Sequence, residues 1–232
     1  GARGGGIVMV QLREEVGRAL QDCVRRRKDI RSQVEYEIIL GSLDLSDQEL
    51  ESISERLQEL IVTPLLELDP AHLPVALDIS LENNFLQGSG IASLCTLLAN
   101  VREMGFAFTR CMKLHHNSLN DSAAGPIAQL IRCQLDHPEY KGGPSVVQEL
   151  HLSHNQFTDK GVRTISNAVI GGGYPFHTYD RSRIPLWIRV EQNPSTPLRR
   201  LLGDPNLVCD ARGPNCGPRK CACKPVPPFH SQ

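Results

Sequence analysis

Aromatic residues are scarce in this chain, since phenylalanine, tryptophan and tyrosine make up 5% of its 232 residues. A core with so few rings must be filled mainly by leucine, isoleucine and valine, which suits layered repeats better than one bulky core. The chain also lacks an excess of positive charge, because its formal net charge is −1 at pH 7. A domain built for nucleic acid usually carries a clear positive excess, so the composition favours a protein partner over RNA.

Two further absences narrow the function. No run of about 18 or more apolar residues occurs, so the sequence predicts no membrane-spanning helix. No nucleophile elbow or paired-histidine zinc motif is present. The glycine runs at 4–6 and 171–173 lack the following Lys-Ser or Lys-Thr that a phosphate loop requires. We therefore predict that the chain is not an enzyme and takes no small-molecule substrate.

The beginning of the chain and its cysteines bear on its cellular location. The first residue is not Met, and the opening residues lack the charged-then-apolar pattern of a secretion signal. The eight cysteines do not form the even framework of a small secreted protein. We expect a protein that resides inside the cell, in the cytoplasm or the nucleus. Its first residues are interpreted either as an added sequence or as the cut end of a longer chain.

One short frame recurs along the chain, and its clearest copy is Leu-His-Leu-Ser-His-Asn-Gln-Phe at residues 150–157. Other copies, some poorer, lie at 38–45, 79–86, 112–119 and 188–193. The asparagine-equivalent positions are 43, 84, 117, 155 and 193, with Leu43 in the first, and their spacings are 41, 33, 38 and 38 residues. Such a repeat predicts stacked supersecondary units.

The frame has a physical explanation. Two apolar residues at period 2 predict a short strand with one buried face. The asparagine then turns the chain, because its amide can bond backbone groups that the turn leaves unpaired. We assign this structural role to Asn84, Asn117, Asn155 and Asn193. An apolar stripe at helical spacing follows each turn. Asp121 and Asp159 lie where a helix N-terminal cap or a favourable contact with the helix dipole is expected.

Residues 34–195 resemble the leucine-rich repeat, specifically its ribonuclease-inhibitor-like class, in which a strand alternates with a full helix. The resemblance implies an α/β fold: a solenoid, or horseshoe arc, of about five units with parallel strands on the concave face and helices on the convex face. The units depart from that class in length, because its repeats span about 28 residues. The surplus at 137–145 and 171–183 predicts loops.

The two ends of the chain predict caps. We divide the chain into an N-terminal segment with a capping helix (1–33), a leucine-rich-repeat domain (34–200) and an irregular Pro/Cys-rich cap or tail (201–232). An apolar stripe at helical spacing through residues 8–30 predicts the capping helix. The basic run Arg-Arg-Arg-Lys at 25–28 is interpreted as the solvated end of that helix, with a phosphate-binding patch as the alternative.

The tail concentrates four cysteines, Cys209, Cys216, Cys221 and Cys223. Thiolates suit a tetrahedral Zn²⁺ ion, so a structural zinc is one interpretation, although the spacing lacks the usual pair of C-x2-C knuckles. Disulfides in an oxidising setting and unbound thiols in a tail are the other two. The sequence does not decide among these three.

Side chains that alternate with the buried strand residues should line the concave face in columns. The predicted partner-binding residues are Lys113, His115, His116, His151, Ser153, His154, Arg189 and Glu191. Their mixture of both charge signs with several histidines suits a polar, pH-sensitive protein contact. His116 and His154 are neighbours in one column, where they would be placed to share a metal ion.

These patterns predict a non-catalytic protein-binding module or scaffold subunit that uses the concave face. The alternative comes from residues 185–193 and the Cys-rich tail, which resemble protist proteins whose leucine-rich repeats precede a PIN-like nuclease domain. That resemblance implies the recognition part of an RNA-processing protein, whose catalytic carboxylates would lie outside this chain.

Overall fold

A computed structural model describes residues 13–28, 34–134, 139–140, 143–177, 183–210 and 228–231. The helices in these ranges are α1 (Glu14–Gln21), α2 (Asp47–Leu66), α3 (Gly88–Glu103), α4 (Asp121–Cys133), α5 (Asp159–Gly171) and α6 (Leu198–Leu202). The strands are β1 (Val24–Lys28), β2 (Val34–Ile39), β3 (Val75–Ser80), β4 (Ala107–Lys113), β5 (Glu139–Tyr140), β6 (Gly143–Pro144), β7 (Glu149–His151), β8 (Phe176–His177), β9 (Arg183–Ile184), β10 (Leu186–Arg189), β11 (Val208–Asp210) and β12 (Phe229–Ser231).

Eight of these strands form one open sheet in the order β1-β2-β3-β4-β7-β10-β12-β11. Only the β1–β2 pair is antiparallel among the described strands of this sheet, and every other neighbouring pair is parallel. Each of β2, β3, β4 and β7 is followed by a helix, α2 to α5, before the next strand of this sheet. The predicted α/β class and parallel strands are thus confirmed.

The core lies between the sheet and helices α2 to α5, which pack against one another in chain order. Five strands, β2, β3, β4, β7 and β10, each contribute one residue to a row of neighbouring Cα partners. None of these side chains is more than 1% exposed. We call it the inner row: Ile38, Ile79, Met112, Leu150 and Ile188. Burying such side chains supplies most of the stability of stacked units, because each is worth roughly 1.5–3 kcal/mol.

The asparagines of the repeat tie each unit to the one before it. The Asn155 amide donates to the carbonyl oxygens of Leu114, in the preceding unit, and Leu152, in its own. Its Oδ1 accepts from the backbone N–H of Leu119. Asn84, Asn117 and Asn193 make the same three kinds of hydrogen bond at their own turns. A buried amide therefore satisfies turn groups that would otherwise be unpaired.

A second ladder joins the starts of the helices. Asp121 does not cap its own helix, where Asn120 has that role, but accepts from the backbone N–H groups of Thr158 and Gly161 in the next unit. Asp159 likewise accepts from Thr196, while Thr158 caps α5. Neither aspartate is the cap of its own helix, but both lie in the first helical turn, where the alternative expectation of a favourable contact with the helix dipole places them.

The same ladder explains the glycine of the repeat. A Cβ on Gly161 would lie 2.3 Å from Oδ1 of Asp121, and a Cβ on Gly90 would lie 2.6 Å from Oδ1 of Asp47. Both distances are far below a normal contact. The equivalent position in α4 is Ala123. In the unit before it, Gly88 stands where the other units have an aspartate, so no carboxylate approaches Ala123. At Gly161 and Gly90 the carboxylate of the preceding unit therefore leaves no room for a Cβ.

The N-terminal prediction needs correction. The helix predicted over residues 8–30 ends at Gln21, and the basic run begins a strand rather than a helix end. β1 pairs antiparallel with β2, and the register sets Arg25 opposite Glu37. The edge of β2 offers unpaired backbone groups, and pairing with them outweighs a local helix preference.

The surplus segments also differ from the prediction of plain loops. β5 pairs with β6 and β8 with β9 as two short antiparallel hairpins outside the main sheet. Tyr174, next to the second hairpin, is buried and donates its hydroxyl to the Val147 carbonyl oxygen. Within the described residues, none of the helices combines the length and apolar character needed to cross a bilayer.

Candidate functional site on the outer face of the sheet

The face of the sheet opposite the inner row carries three polar rows. The outer row, of Cα partners, is Ile39, Ser80, Lys113, His151 and Arg189. The acid–thiol row beside it, also of Cα partners, is Glu37, Asp78, Cys111, Glu149 and Trp187. The turn row, linked by backbone hydrogen bonds just beyond the strands, is Gly41, Glu82, His115, Ser153 and Glu191. Together these rows form the outer face.

A left-handed residue follows each member of the turn row and directs its side chain away from the sheet. These residues are Ser42, Asn83, His116, His154 and Gln192, with φ between 54° and 58°. Left-handed φ is uncommon outside glycine, although asparagine, aspartate and histidine adopt it more often than other residues. His116 and His154 adopt it because their backbone N–H groups bond the carbonyl oxygens of Ser153 and Glu191 in the next unit.

Four histidines lie in contact across the third and fourth units, and we call them the histidine cluster: His115, His116, His151 and His154. The ring centroids of His116 and His154 are 4.0 Å apart with an interplanar angle of 13°. The centroids of His115 and His151 are 6.1 Å apart, and those of His115 and His116 are 5.6 Å apart. Burial lowers the pKa of His115. The negative charge of Glu82 raises it, and the neighbouring His151, His116 and Arg189 lower it further.

The stacking of His116 on His154 argues against the metal ion suggested for this pair. A ring nitrogen binds a metal through a lone pair that lies in the plane of the ring. Two nearly parallel rings 4.0 Å apart direct their lone pairs side by side and do not aim them at one point. The pair instead offers an exposed stacked surface.

The predicted partner-binding residues differ in their exposure. His116 and His154 are exposed, whereas Lys113, His115, His151, Arg189 and Glu191 are partly buried. The Arg189 guanidinium pairs with the Glu191 carboxylate at 2.6 Å. Ser153 is only 2% exposed, because it lies between neighbouring turns that bond across it. It therefore offers almost no surface to a partner, and we remove it from the contact residues.

A buried ion cluster occupies the first units of this face. Arg110 donates to both carboxylate oxygens of Glu35, and its Nε lies 2.9 Å from Oδ1 of Asp78. Burial disfavours the charged guanidinium, but the hydrogen bonds with the two carboxylates outweigh it and raise the pKa of Arg110. Paired in this way, the three charges close part of the face to other ligands.

The structure also brings together Cys111, Glu149 and His151, which sequence reasoning did not connect. Their potential ligand atoms all lie within 4.8 Å of one another. The sequence contains a signal for His151 and Glu149, which are two residues apart on one strand face. The same alternation applies to Cys111, two residues before Lys113, so the shared frame sets it beside Glu149, a link that sequence reasoning did not draw.

The predicted C-terminal metal ligands lie mostly beyond the part of the chain that the structure describes. Cys209 is buried in β11 next to β12. Cys216, Cys221 and Cys223 fall outside the described residues. The three interpretations of the tail therefore stay open.

No model of a known protein family matches this chain, and comparison with curated proteins gives no significant match. The function must be inferred from the residues and their geometry.

Proposed function

We propose that this chain is a leucine-rich-repeat protein of the ribonuclease-inhibitor-like type, a solenoid of about five units that binds a protein partner without catalysis. The repeated strand, turn and helix support it, as does the asparagine that bonds back to the preceding unit at four successive turns. In this proposal the outer face is the concave, partner-binding face of the horseshoe arc.

One observation carries the binding role: the histidine cluster lies in contact on adjacent units, beside Lys113 and the Arg189–Glu191 pair. Groups held by a sheet and its turns lose little conformational freedom when a partner docks. Aromatic rings with flanking charges of both signs are typical of the centre and rim of protein interfaces. A polar protein surface of mixed charge is the complement that this face fits best.

Buried thiols support the predicted location. Cys23, Cys95 and Cys111 are buried and not joined in disulfides. Such thiols behave as small apolar groups and persist in a reducing compartment. We therefore propose an intracellular protein, in the cytoplasm or the nucleus.

The test is affinity purification of the full chain from an extract of its source, with partners quantified by mass spectrometry. The face variant combines Lys113→Glu, His116→Asn and His154→Asn. Asparagine tolerates left-handed φ, so it removes the rings with little backbone strain. The matched control is Lys160→Glu with Arg163→Glu, two exposed positions on α5. We expect one defined partner to fall by at least roughly tenfold with the face variant, equivalent to about 1.4 kcal/mol, and to be unchanged with the control.

The same proteins separate the RNA alternative. Single-stranded RNA is titrated with the wild-type chain and both variants at low and at raised salt. Binding that weakens steeply with salt, without a partner that depends on the face, would support the RNA-processing role and overturn ours. Equal recovery of every partner by wild type and face variant would also overturn it, provided that circular dichroism shows both chains folded.

A further inference from the structure

The acid–thiol row contains a second kind of chemistry beside the histidine cluster. β4 and β7 are parallel neighbours, and the register makes Cys111 the Cα partner of Glu149 and Lys113 the partner of His151. Glu149 and His151 are two residues apart on one strand, so their side chains lie on the same face. Cys111 Sγ is 3.9 Å from Glu149 Oε2, and His151 Nε2 is 3.6 Å from that same oxygen.

We propose that Cys111, Glu149 and His151 form a binding site for a divalent transition-metal ion, with Zn²⁺ the ion that fits best. Sulfur, imidazole nitrogen and carboxylate oxygen are the three donor types that Zn²⁺ takes in proteins. Ca²⁺ and Mg²⁺ prefer oxygen ligands throughout, so a site with a thiol and an imidazole discriminates against them. Three protein ligands leave one position open for water or for an atom of a partner.

The distances suit a tetrahedral ion. Bonds of about 2.0–2.3 Å place the ligand atoms of such an ion roughly 3.3–3.8 Å apart. The Nε2–Oε2 separation of 3.6 Å lies in that range, and the Sγ–Oε2 separation of 3.9 Å lies just above it. The sulfur and the imidazole nitrogen are within 4.8 Å of each other.

An orphaned nitrogen points to a ligand. His151 Nε2 is buried and makes no hydrogen bond among the described residues, because Oε2 of Glu149, at 3.6 Å, lies beyond hydrogen-bonding distance. A buried polar atom without a partner carries a penalty of about 1–3 kcal/mol, and a metal bond would remove it. His115 Nδ1, in the neighbouring ring, is likewise buried without a hydrogen bond to the described residues.

Charge gives a further reason. Cys111 is 4% exposed, and its Sγ lies 3.9 Å from Oε2 of the Glu149 carboxylate. A metal ion replaces the thiol proton and yields a bound thiolate. One thiolate and one carboxylate then balance the two positive charges of the ion, with the imidazole neutral. A neutral set of this kind is compatible with a half-buried sheet face.

The experiment starts from the full chain carrying Cys216→Ser, Cys221→Ser and Cys223→Ser, so that of the four tail thiols only the buried Cys209 remains. The metal-free protein is titrated with Zn²⁺ and with Co²⁺, and bound metal is counted by elemental analysis. We expect about one ion per chain. A thiolate-to-cobalt charge-transfer band in the ultraviolet should report sulfur ligation directly.

Substitutions then assign the ligands. Cys111→Ser should abolish the charge-transfer band. Loss of a residue that only hydrogen-bonds to a metal ligand lowers metal affinity roughly 10–100-fold. Loss of a ligand itself should cost no less, so Glu149→Gln and His151→Asn should each weaken zinc binding by at least roughly tenfold. Cys95→Ser, a buried thiol in α3, and His116→Asn, an imidazole of the same face, are the matched controls and should leave binding unchanged.

Three results would overturn the proposal. They are absence of zinc uptake by the chain with the serine tail, a cobalt–thiolate band that persists in Cys111→Ser, and equal zinc affinity in Glu149→Gln, His151→Asn and their controls. Should Cys111→Ser fail to fold, the Glu149→Gln and His151→Asn affinities decide alone, because both side chains are partly exposed. No partner protein enters this experiment, so its outcome is separate from that of the proposed function.

Discussion

The two faces of the sheet are made by alternating residues of the same strands, yet they are held in different ways. The inner row is apolar and fully buried against the helices. The outer face is polar, and its charges are partly buried and engaged with one another, as Arg110 is with Glu35 and Asp78. Burial of apolar area stabilises the first, and pairing of charge and hydrogen bonds stabilises the second. A polar face is therefore not the same as a solvated face.

The largest expected loss of stability comes from the outer face, which a simple contrast would treat as the face that tolerates substitution. Arg110→Met removes the cation from two partly buried carboxylates and should lower the free energy of unfolding by about 4 kcal/mol. Urea unfolding monitored by circular dichroism measures it. Arg56→Met is the control, because Arg56 and Glu59 are each 65% exposed and such pairs are worth at most about 1 kcal/mol. Equal losses for the two variants would contradict the buried cluster.

The next effect compares adjacent residues of β4. Met112→Ala leaves a cavity in the inner row and should lower the free energy of unfolding by about 3 kcal/mol. Lys113→Ala, on the outer row, should change it by less than about 0.5 kcal/mol. The same urea titration gives both values. A larger loss for Lys113→Ala than for Met112→Ala would reverse the assignment of the faces.

The turns that join the two faces should show an intermediate effect. Asn155→Ala leaves the buried N–H of Leu119 without its acceptor, whereas the carbonyl oxygens of Leu114 and Leu152 keep Asn117 and Asn193 as donors. We expect a loss of about 2 kcal/mol, measured by thermal and urea unfolding. Asn100→Ala, at an exposed position in α3, is the control and should be close to neutral. A neutral Asn155→Ala would show that the ladder does not stabilise the fold.

The smallest expected effect is on the pH dependence of the free energy of unfolding, to which His115 on the outer face contributes. The pKa of His115 lies below its ordinary value of 6.5, chiefly because of burial, so as the pH falls the unfolded chain takes up this proton before the folded chain does. The corresponding stability is present above pH 6.5 and is lost as the pH falls through the folded pKa. His115→Gln should flatten the dependence of the free energy of unfolding on pH in that window.

The control for this pH experiment is His72→Gln, at an exposed position in a 3-10 turn. It should leave the acid side of the stability curve as it is in the wild-type chain. An unchanged curve for His115→Gln would show that this ring is not buried enough to matter. Substitutions on the inner row should shift the whole curve without changing its slope, because that row holds no ionisable group.

Sequence reasoning reached the repeating part of the fold and missed both the start and the bulge. The frame around Asn84, Asn117 and Asn155 is local, so its strand, turn and helix can be read from spacing. β1 could not be predicted, because its pairing with β2 depends on an edge that exists only after the sheet has formed. The same holds for the two hairpins, β5–β6 and β8–β9.

The candidate site divides in the same way. The outer row and the histidine positions follow from strand alternation and the shared asparagine offset, so their columns could be written from the sequence. Cys111 could have been added, because its pairing with Glu149 follows the register of Met112 with Leu150 and Lys113 with His151. The bulge that leaves Arg110 as an extra residue lies in the pairing of β4 with β3, and spacing alone does not reveal it. Ser153 was misplaced because exposure depends on how closely neighbouring turns approach.

The sequence by itself determined the unit: which residues enter the core, where each turn falls, and which side chains share a column. Only the tertiary structure decided what lies between units, namely the Asp121–Gly161 contact, the Arg110 ion cluster and the convergence of Cys111, Glu149 and His151. The physical reason is range. Periodicity and turn preference act over a few residues, whereas these contacts join residues some 30 to 75 positions apart whose approach depends on strand register.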